Sequence, residues 1–328
     1  MFDIITFGSA TRDIFVRSND FKIIESADFL TGKALAVGAG EKVYVNEVIF
    51  SSGGGGSNCA ATFALQDFRT AYVGLVGHDL SGREIIKELS EVGIETDFIK
   101  ISNQANTPVS VILSVPDKER SILVYEGASH LLKKEDVPWG RIKEAKWFYV
   151  SGLSGESSKV FPEIINFASK NNIKIAVNPG RDQLSKDLEI LKFLLNKIDI
   201  LIVNSEEASI ITGIDYKKED EIFKKFDELV PGIAVMTKGP EGVAVSDGKM
   251  IYLADIPKSG YVDRTGSGDA FGSGFVSGII EKSDIEYAIQ LGTANATSKI
   301  QQIGAKKGLL RKGEWGEWEK IKVKKLKI

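Results

Sequence analysis

A glycine-rich turn directly before an apolar helical run holds the residues with the clearest chemical potential. The turn contains Thr265, Gly266, Ser267 and Gly268, and Asp269 follows at the start of the predicted helix. The first turn of a helix has backbone N–H groups without partners, and its dipole favours negative charge. Such a turn suits an anion that gains charge during a reaction, and Asp269 is placed to accept a proton. The simpler alternative is that Asp269 only caps the helix.

A second glycine run lies between a strand-like segment and a predicted helix. Its sequence, SGGGGSN, contains Gly53, Gly54, Gly55 and Asn58. Absent side chains let a polar ligand approach the backbone, and the Asn58 amide can hydrogen-bond that ligand. Asp13, shortly after the first predicted strand, could grip two hydroxyl groups. These residues predict a site for a hydroxyl-rich molecule, with a flexible linker as the alternative interpretation of the glycines.

Two further segments follow predicted strands. The sequence NSEE puts Asn204 and Glu207 at the carboxyl end of a parallel strand, where ligands bind in open α/β sheets. A carboxylate near phosphates usually acts through Mg²⁺, directly or through bound water. The sequence TKGPEG contains Thr237, Gly239 and Gly242, and is also typical of an ordinary hairpin turn.

Two common phosphate-binding motifs are missing from the sequence. In GSGDAF, Phe271 stands where the dinucleotide fingerprint has its third glycine, and GxxxxGK[ST] occurs nowhere. The sequence therefore indicates neither a dinucleotide-dependent dehydrogenase nor a P-loop enzyme.

Alternating strands and helices must position these residues. Short β-branched, apolar runs predict buried strands over residues 4–7, 71–76, 147–150, 173–177, 200–203 and 233–237. Amphipathic spacing predicts helices over residues 83–92, 159–170, 206–212 and 220–229. The alternation predicts an α/β fold with a mostly parallel sheet covered on both faces.

Two segments break this rhythm. Residues 109–125 predict two strands joined by a turn at 116–120, and residues 14–50 contain further hairpin material. A small sheet inserted into an α/β domain can close over a cleft and exclude water. We therefore predict an α/β domain built from residues 1–13, 51–108 and 126–328. The predicted β-sheet lid is built from residues 14–50 and 109–125.

Composition excludes several classes of protein. A net charge of −3 over 328 residues provides no positive field for nucleic acid. The basic stretch over residues 306–327 is interpreted as a solvated terminal strand or helix rather than a polyanion site. One cysteine, Cys59, and two histidines argue against a disulfide framework, a zinc cluster or a histidine-based triad. Apolar stretches stay below the roughly 20 residues that cross a bilayer, so we expect a cytoplasmic protein without membrane contact.

Taken in order, these motifs resemble those of the ribokinase/PfkB family of carbohydrate kinases. The order is Gly8-x-x-x-x-Asp13, GGxGxN, GxDxxG from Gly77, NxxE, TxGxxG and DxTGxGD from Asp263. The resemblance implies a ribokinase-like, Rossmann-like domain with a small β-sheet lid. It also implies ATP as phosphate donor, Mg²⁺ as required metal and, in many members, a monovalent cation such as K⁺.

The resemblance also implies residue roles. Asp269 is the expected catalytic base, and Gly266 to Gly268 form the expected anion hole. The expected acceptor-binding residues are Asp13, Gly53, Gly54, Gly55 and Asn58. The expected nucleotide-side residues are Asn204, Glu207, Thr237, Gly239, Gly242 and Asn295, with Glu207 near Mg²⁺. Asp263 and Thr265 match the loop that holds the monovalent cation.

The sequence departs from the family pattern at three places. Ser267 replaces a commoner alanine, Arg264 replaces a small residue, and the segment from Asn178 to Arg181 only partly matches Asp-x-Asn-x-Arg. These departures bear on the monovalent-cation loop and the nucleotide side more than on the base.

The acceptor stays open at this point. A ribose- or fructose-like sugar is the first choice, because the predicted site residues suit hydroxyl groups. A nucleoside is the second, since Phe29, Tyr44 and Phe50 lie in the predicted lid and could stack on a base. A sugar phosphate would need cationic partners, for which the candidates are Arg12, Lys33, Lys42 and Arg120. A non-catalytic nucleotide or sugar sensor is the alternative from another class, and a homodimer through lid-strand edges is a further hypothesis.

Overall fold

The computed structural model describes residues 1–29, 31–115 and 120–327. Within these residues the strands in chain order are β1 (Ile4–Phe7), β2 (Thr11–Arg17), β3 (Lys22–Glu25), β4 (Lys33–Ala36), β5 (Glu47–Gly53), β6 (Thr70–Gly77), β7 (Ile99–Ser102), β8 (Val109–Ser114), β9 (Arg120–Tyr125), β10 (Trp147–Val150), β11 (Lys174–Val177), β12 (Ile200–Asn204), β13 (Ile233–Thr237), β14 (Val243–Ser246), β15 (Met250–Ala254) and β16 (Val323–Lys327). The helices of the same residues are α1 (Gly55–Leu65), α2 (Leu80–Glu91), α3 (Trp139–Ile142), α4 (Phe161–Lys170), α5 (Arg181–Leu184), α6 (Leu188–Leu194), α7 (Ser205–Thr212), α8 (Glu219–Leu229), α9 (Ser267–Lys282) and α10 (Ile285–Lys299). The predicted alternation of strands and helices is confirmed, and β1, β10 and β13 have the predicted bounds.

A ten-stranded sheet forms the centre of the larger unit. Its strand order is β16-β15-β14-β13-β12-β11-β10-β1-β6-β7. The seven strands from β13 to β7 run parallel, and β14 to β16 continue the sheet antiparallel. The parallel strands are largely buried, and β6 is buried along its whole length, because helices cover both faces. The carboxyl ends of the parallel strands therefore meet at one edge of the sheet.

Helices pack on both faces of this sheet. One face buries Ile164 of α4 and Phe223 of α8 in one hydrophobic cluster. The other face buries Phe63 of α1 and Phe275 of α9 in a second cluster. The two glycine-rich segments of the sequence therefore start helices on the same face. No helix in the described ranges is both long enough and apolar enough to traverse a bilayer.

A smaller sheet of four strands, in the order β5-β2-β8-β9, forms the lid. Its central pair, β2 and β8, is parallel, whereas β5 and β9 join antiparallel at the two edges. The predicted lid boundaries fall inside β2 and β5, because Thr11 pairs with Gly53 and Asp13 with Ser51. Asp13 thus lies at the base of the lid sheet. A separate hairpin joins β3 and β4, and residues 116–119 of the predicted turn between β8 and β9 lie outside the described residues.

The basic C-terminal stretch ends in the outermost strand of the large sheet. β16, with the sequence VKKLK, pairs antiparallel with β15. Its lysines are exposed, and Lys325 Nζ lies 2.8 Å from a carboxylate oxygen of Glu286. The basic stretch was predicted to be a solvated terminal strand or helix, and its end is a solvated strand.

Candidate active site

The turn before α9 is built around Gly266. This residue is in the left-handed region at φ 76°, and α9 begins directly after it. An added Cβ at Gly266 would lie 2.7 Å from the Cβ of Ala305, so the position requires glycine for both its conformation and its packing. At Gly268, in contrast, an added Cβ would meet no described atom within 4 Å. The start of α9 therefore faces open space.

The backbone donors of this turn are only partly used. The N–H of Ser267 donates to the carbonyl of Arg264 at 3.2 Å, so this predicted anion-hole donor is used inside the turn. The N–H groups of Gly266, Gly268 and Asp269 have no protein acceptor among the described residues. Free N–H groups at a helix start can bind an anion.

Asp269 lies at the end of this row of donors. Its Oδ2 accepts a hydrogen bond from Nδ2 of Asn58 at 2.8 Å, which joins α9 to α1. Burial raises the pKa of Asp269 above its ordinary value because it disfavours the charged carboxylate, while Asn58 and Lys306 act in the opposite direction. Asn58 is only 5% exposed, and its buried Oδ1 has no partner among the described residues. The site therefore holds a proton acceptor and, beside it, an acceptor of hydrogen bonds from a ligand.

The glycine run at the start of α1 lets the carboxylates of Asp13 and Asp269 both approach its backbone. An added Cβ at Gly53 would collide with the carboxylate of Asp13, and one at Gly55 would lie 3.5 Å from Oδ1 of Asp269. Gly54, at φ 93°, is the residue before the helix and packs on the backbone of Ala10. The absent side chains are thus required by close packing, which argues against the flexible-linker interpretation.

Asp13 and Lys306 are buried groups of opposite charge that attract each other beside Asp269. Asp13 is 4% exposed, and burial raises its pKa to about 6, although Lys306 lowers it. Lys306 donates from Nζ to Ser52 Oγ at 2.8 Å, and burial lowers its pKa to about 8, against the attraction of Glu88, Asp13 and Asp269. Lys306 was missed by the sequence analysis, which assigned it to a solvated tail. Its signal was its place directly after Gly304 and Ala305, the loop that packs on the anion-hole turn.

The predicted nucleotide-side residues meet at the carboxyl ends of β12 and β13. Asn204 and Thr237 are direct neighbours in the sheet. Asn204 and Glu207 exchange hydrogen bonds, from the Glu207 N–H to Asn204 Oδ1 at 2.9 Å and from the Asn204 N–H to Glu207 Oε2 at 2.8 Å. Gly239 has φ 56° with open space around it, whereas Gly242, at φ 89°, packs on the carbonyl of Ala254. The geometry thus brings these residues together at one edge.

Asn295 is separated from this group. It is fully buried, and its Nδ2 donates to the carbonyl of Ala270 at 2.8 Å and to Thr62 Oγ1 at 3.3 Å. Its Oδ1 accepts from the N–H of Leu310 at 2.9 Å. Because the amide is engaged by protein on both sides, this placement speaks against the predicted contact between Asn295 and a nucleotide. Asn295 instead ties α10 to α9 and to the C-terminal segment.

Glu207 is suited to a hydrated Mg²⁺ rather than to a metal held by protein alone. Oε2 is used by the Asn204 N–H, while Oε1 makes no hydrogen bond within the described ranges. Burial raises the pKa of Glu207, and a nearby cation would favour its charged form. No group of three or more acidic, histidine or cysteine side chains that could hold a metal occurs in residues 1–29, 31–115 and 120–327. One free carboxylate oxygen fits a metal that keeps several waters and binds phosphate.

The predicted monovalent-cation residues do not fit such an ion. Oδ1 of Asp263 accepts from Thr265 Oγ1 at 2.7 Å and from Arg120 Nη1 at 2.6 Å. Arg120 Nη1 also lies 2.7 Å from Thr265 Oγ1. Oδ2 of Asp263 accepts from the N–H of Gly304 at 3.0 Å. Both oxygens of the carboxylate are therefore occupied by protein donors, one of them cationic.

Comparison with known proteins identifies the family and the fold of this chain. A sequence profile described as pfkB family carbohydrate kinase matches residues 15–311. The chain is 27% identical over 306 residues to a ribokinase of Lactococcus lactis, covering 92% of this chain and 96% of that protein. It is 28% identical over 270 residues to an adenosine kinase of Schizosaccharomyces pombe, covering 75% and 78%. The fold is similar to that of Arabidopsis thaliana ribokinase complexed with ribose and ATP, at a TM-score of 0.75 and 22% identity, covering 95% and 96%.

The ribokinase-like fold, with its large mostly parallel sheet and smaller lid sheet, is thus confirmed. Because the profile spans most of the chain, the protein belongs to the pfkB family of carbohydrate kinases, which are ATP-dependent phosphotransferases.

Proposed function

We propose that this protein is a cytoplasmic kinase that transfers the γ-phosphoryl group of ATP to a hydroxyl of a small sugar. The supporting observation is the arrangement around Asp269. Asp269 follows the turn of Thr265 to Gly268 with its free N–H groups, and its carboxylate accepts a hydrogen bond from Asn58. Asp13 lies on the other side of the glycine run. A base, an anion hole and a hydroxyl-binding carboxylate are then adjacent.

In the proposed reaction Asp269 accepts the proton of the attacking hydroxyl. Its raised pKa makes it a better proton acceptor than an exposed aspartate. Asp13 and the Oδ1 of Asn58 hold neighbouring hydroxyls of the sugar, which orients the reacting one. The free N–H groups of Gly268 and Asp269 stabilise the negative charge of the transferring group. Bound Mg²⁺, held on the protein side by Glu207 through water, would neutralise charge on the phosphates.

A sugar is preferred to a nucleoside because Phe50, one of the residues predicted to stack on a nucleobase, lies on the lid face away from the proposed acceptor site. Phe50 pairs with Ile14 on β2, so by strand alternation it lies on the lid face opposite to Asp13. The guanidinium of Arg12 covers its ring at 5.5 Å from the centroid. A nucleoside stays the second candidate, since adenosine kinase of Schizosaccharomyces pombe is among the similar proteins.

A sugar phosphate has less support, because two of the four predicted cationic partners are engaged elsewhere. Arg12 pairs with Glu88 at 3.1 Å, and Arg120 pairs with Asp263. Lys306 is a further cation beside the proposed acceptor site, since its charge acts on both Asp13 and Asp269. Its positive charge is already compensated within the protein by Glu88, Asp13 and Asp269, and its Nζ donates to Ser52 Oγ.

The proposed function is tested with purified protein, ATP and Mg²⁺ against pentoses, hexoses, their phosphates, adenosine and inosine, with ADP release as the readout. We expect one pentose or hexose to give a rate far above the others. A preference for adenosine or inosine would replace the sugar by a nucleoside. Binding of ATP without ADP release for any acceptor would favour the sensor hypothesis.

Acceptor binding should depend on pH through Asp13. Because its pKa is about 6, we expect acceptor affinity to fall about tenfold per pH unit below 6, as the carboxylate that accepts hydroxyl hydrogen bonds becomes protonated. Acceptor affinity is measured by calorimetry in the Asp269→Asn variant, because this substitution removes the second acid that could titrate in the site. Asp13→Asn should abolish this pH dependence, and a dependence that survives in that variant would contradict the role of Asp13.

The raised pKa of Asp13 should also make the stability of the protein depend on pH. The folded state binds the proton of Asp13 more tightly than the unfolded state does, so stability from this group is present below about pH 4 and is lost as pH rises through 6. Asp13→Asn should therefore increase the free energy of unfolding at pH 7.5, by about 1–3 kcal/mol. Urea unfolding at pH 5 and 7.5 measures the difference.

We also propose that two copies associate through the lid. Strand β9 is one of the two edge strands of the lid sheet, and its Leu123 and Val124 are 59% and 64% exposed. An edge strand with exposed apolar side chains offers both backbone groups and apolar area to a second copy. Light scattering after size exclusion should give a dimer, and Val124→Lys should shift it to a monomer. A wild-type monomer at micromolar concentration would contradict this proposal.

A further inference from the structure

Lys299, at the end of α10, is fully buried inside the loop network that precedes the anion hole. Its Nζ donates to the backbone carbonyl of Asp263 at 2.7 Å and lies 3.8 Å from the Oδ2 of the same residue. A fully buried lysine is rare, and its charge must be compensated by nearby oxygens. Both of the oxygens that compensate it belong to Asp263.

These oxygens are of the kind that a monovalent metal ion would use. A backbone carbonyl and a carboxylate of one loop residue are hard oxygen ligands for such an ion. Here the carbonyl faces the ammonium of Lys299, and the carboxylate faces Lys299 on one side and Arg120 on the other. The network therefore already contains two positive charges of its own.

The network also fixes the loop that carries the free N–H groups. The N–H groups of Val262 and Asp263 both donate to the carbonyl of Ile300, at 2.7 and 3.1 Å. Ile300 directly follows Lys299, so the end of α10 holds the loop both by backbone bonds and by the ammonium. From Asp263 the chain reaches Gly266 within three residues. A cation at the Asp263 carbonyl thus contributes to the orientation of the turn.

We infer that the ammonium group of Lys299 replaces a bound monovalent metal ion at the anion-hole loop, so that the protein needs no K⁺ for stability or turnover. Lys299 acts here as a positioning residue, because it contacts the loop and not the reacting groups. The consequence for turnover rests on the proposed kinase function, whereas the consequence for stability does not.

The first test compares wild-type protein in KCl, NaCl and tetramethylammonium chloride at equal ionic strength. We expect the same melting temperature in all three salts. With the acceptor identified above, turnover in the three salts should agree within about twofold, which corresponds to about 0.4 kcal/mol. A melting temperature raised by K⁺ alone would overturn the inference, whether or not an acceptor is known. A turnover that requires K⁺ would also overturn it.

The second test uses two substitutions that differ in the space they leave. Lys299→Ala removes the ammonium and leaves a cavity beside the Asp263 oxygens, whereas Lys299→Met fills the same space with an apolar chain. In tetramethylammonium chloride both variants should lose at least about tenfold in turnover. KCl should restore activity and raise the melting temperature of Lys299→Ala only.

Lys282→Met, at the exposed end of α9, is the matched control for loss of a lysine. Its turnover and melting temperature should be the same in KCl and in tetramethylammonium chloride. Equal activity of Lys299→Ala and wild-type protein without K⁺ would contradict the positioning role. If the variants do not fold, the wild-type salt comparison still decides the inference.

Discussion

Replacing Asp269 by asparagine should reduce turnover about 10²–10⁴-fold, the range associated with loss of a general base. Asparagine has nearly the same shape and can still accept the hydrogen bond from Asn58 Nδ2, but it cannot take the proton of the acceptor hydroxyl. Affinity for ATP should be unchanged. The melting temperature should be equal or higher, because the substitution removes a charge that burial disfavours. Steady-state kinetics and calorimetry with ATP measure the two effects.

Asp284→Asn is the matched control for this prediction. Asp284 precedes α10 and accepts a hydrogen bond from the Tyr287 N–H at 2.7 Å, a capping role that asparagine also fills. This variant should keep wild-type turnover. If Asp269→Asn retains wild-type turnover too, Asp269 is only a structural residue of its helix and the proposed base must be sought elsewhere.

Gly268→Ala should lower turnover about 10²-fold and at the same time stabilise the fold. The position is in the first turn of α9 with unstrained backbone, so alanine favours the helix by about 0.5–1 kcal/mol. Its methyl group would project into the open space in front of the turn, where the transferring phosphoryl group is proposed to lie. A displacement of about 1 Å at that point is enough for such a loss. Turnover and chemical unfolding of one preparation measure both effects.

Gly140→Ala in α3 separates the two consequences. Gly140 is also helical and an added Cβ there meets no described atom within 4 Å, but it lies outside the proposed site. This variant should change stability in the same direction and leave turnover unaltered. A Gly268→Ala variant with full activity would show that the space over the turn is not used by the phosphoryl group.

The sequence was sufficient to predict the parts of the fold that repeat a local pattern. Short apolar runs such as Trp147–Val150 have the composition typical of a buried strand, and the bounds predicted for this run were correct. The predicted lid boundaries, after residues 13 and 50, fall within strands β2 and β5. The polar residues Asp13, Ser51 and Ser52 sit at the lid base and interrupt the apolar pattern, although the strands continue through them.

The side-chain networks of the site could not be predicted in the same way. The Arg120–Asp263 contact joins residues 143 positions apart, and Lys306–Ser52 joins residues 254 positions apart. No local spacing encodes such contacts. Asn295 is a different case, because its predicted nucleotide contact came only from the family resemblance, whereas its amide bonds to the carbonyl of Ala270 and the N–H of Leu310.

The lysines of β16 have a consequence for the behaviour of the protein at high concentration. Any sheet edge can recruit the edge of another molecule and start an aggregate. β16 places Lys324, Lys325 and Lys327 along this outer edge, and their like charges repel a second copy of the same strand. Deletion of residues 323–327 would expose β15, whose sequence MIYLA has no charge, as the new edge. The C-terminal strand thus acts as a built-in solubility element of the large sheet.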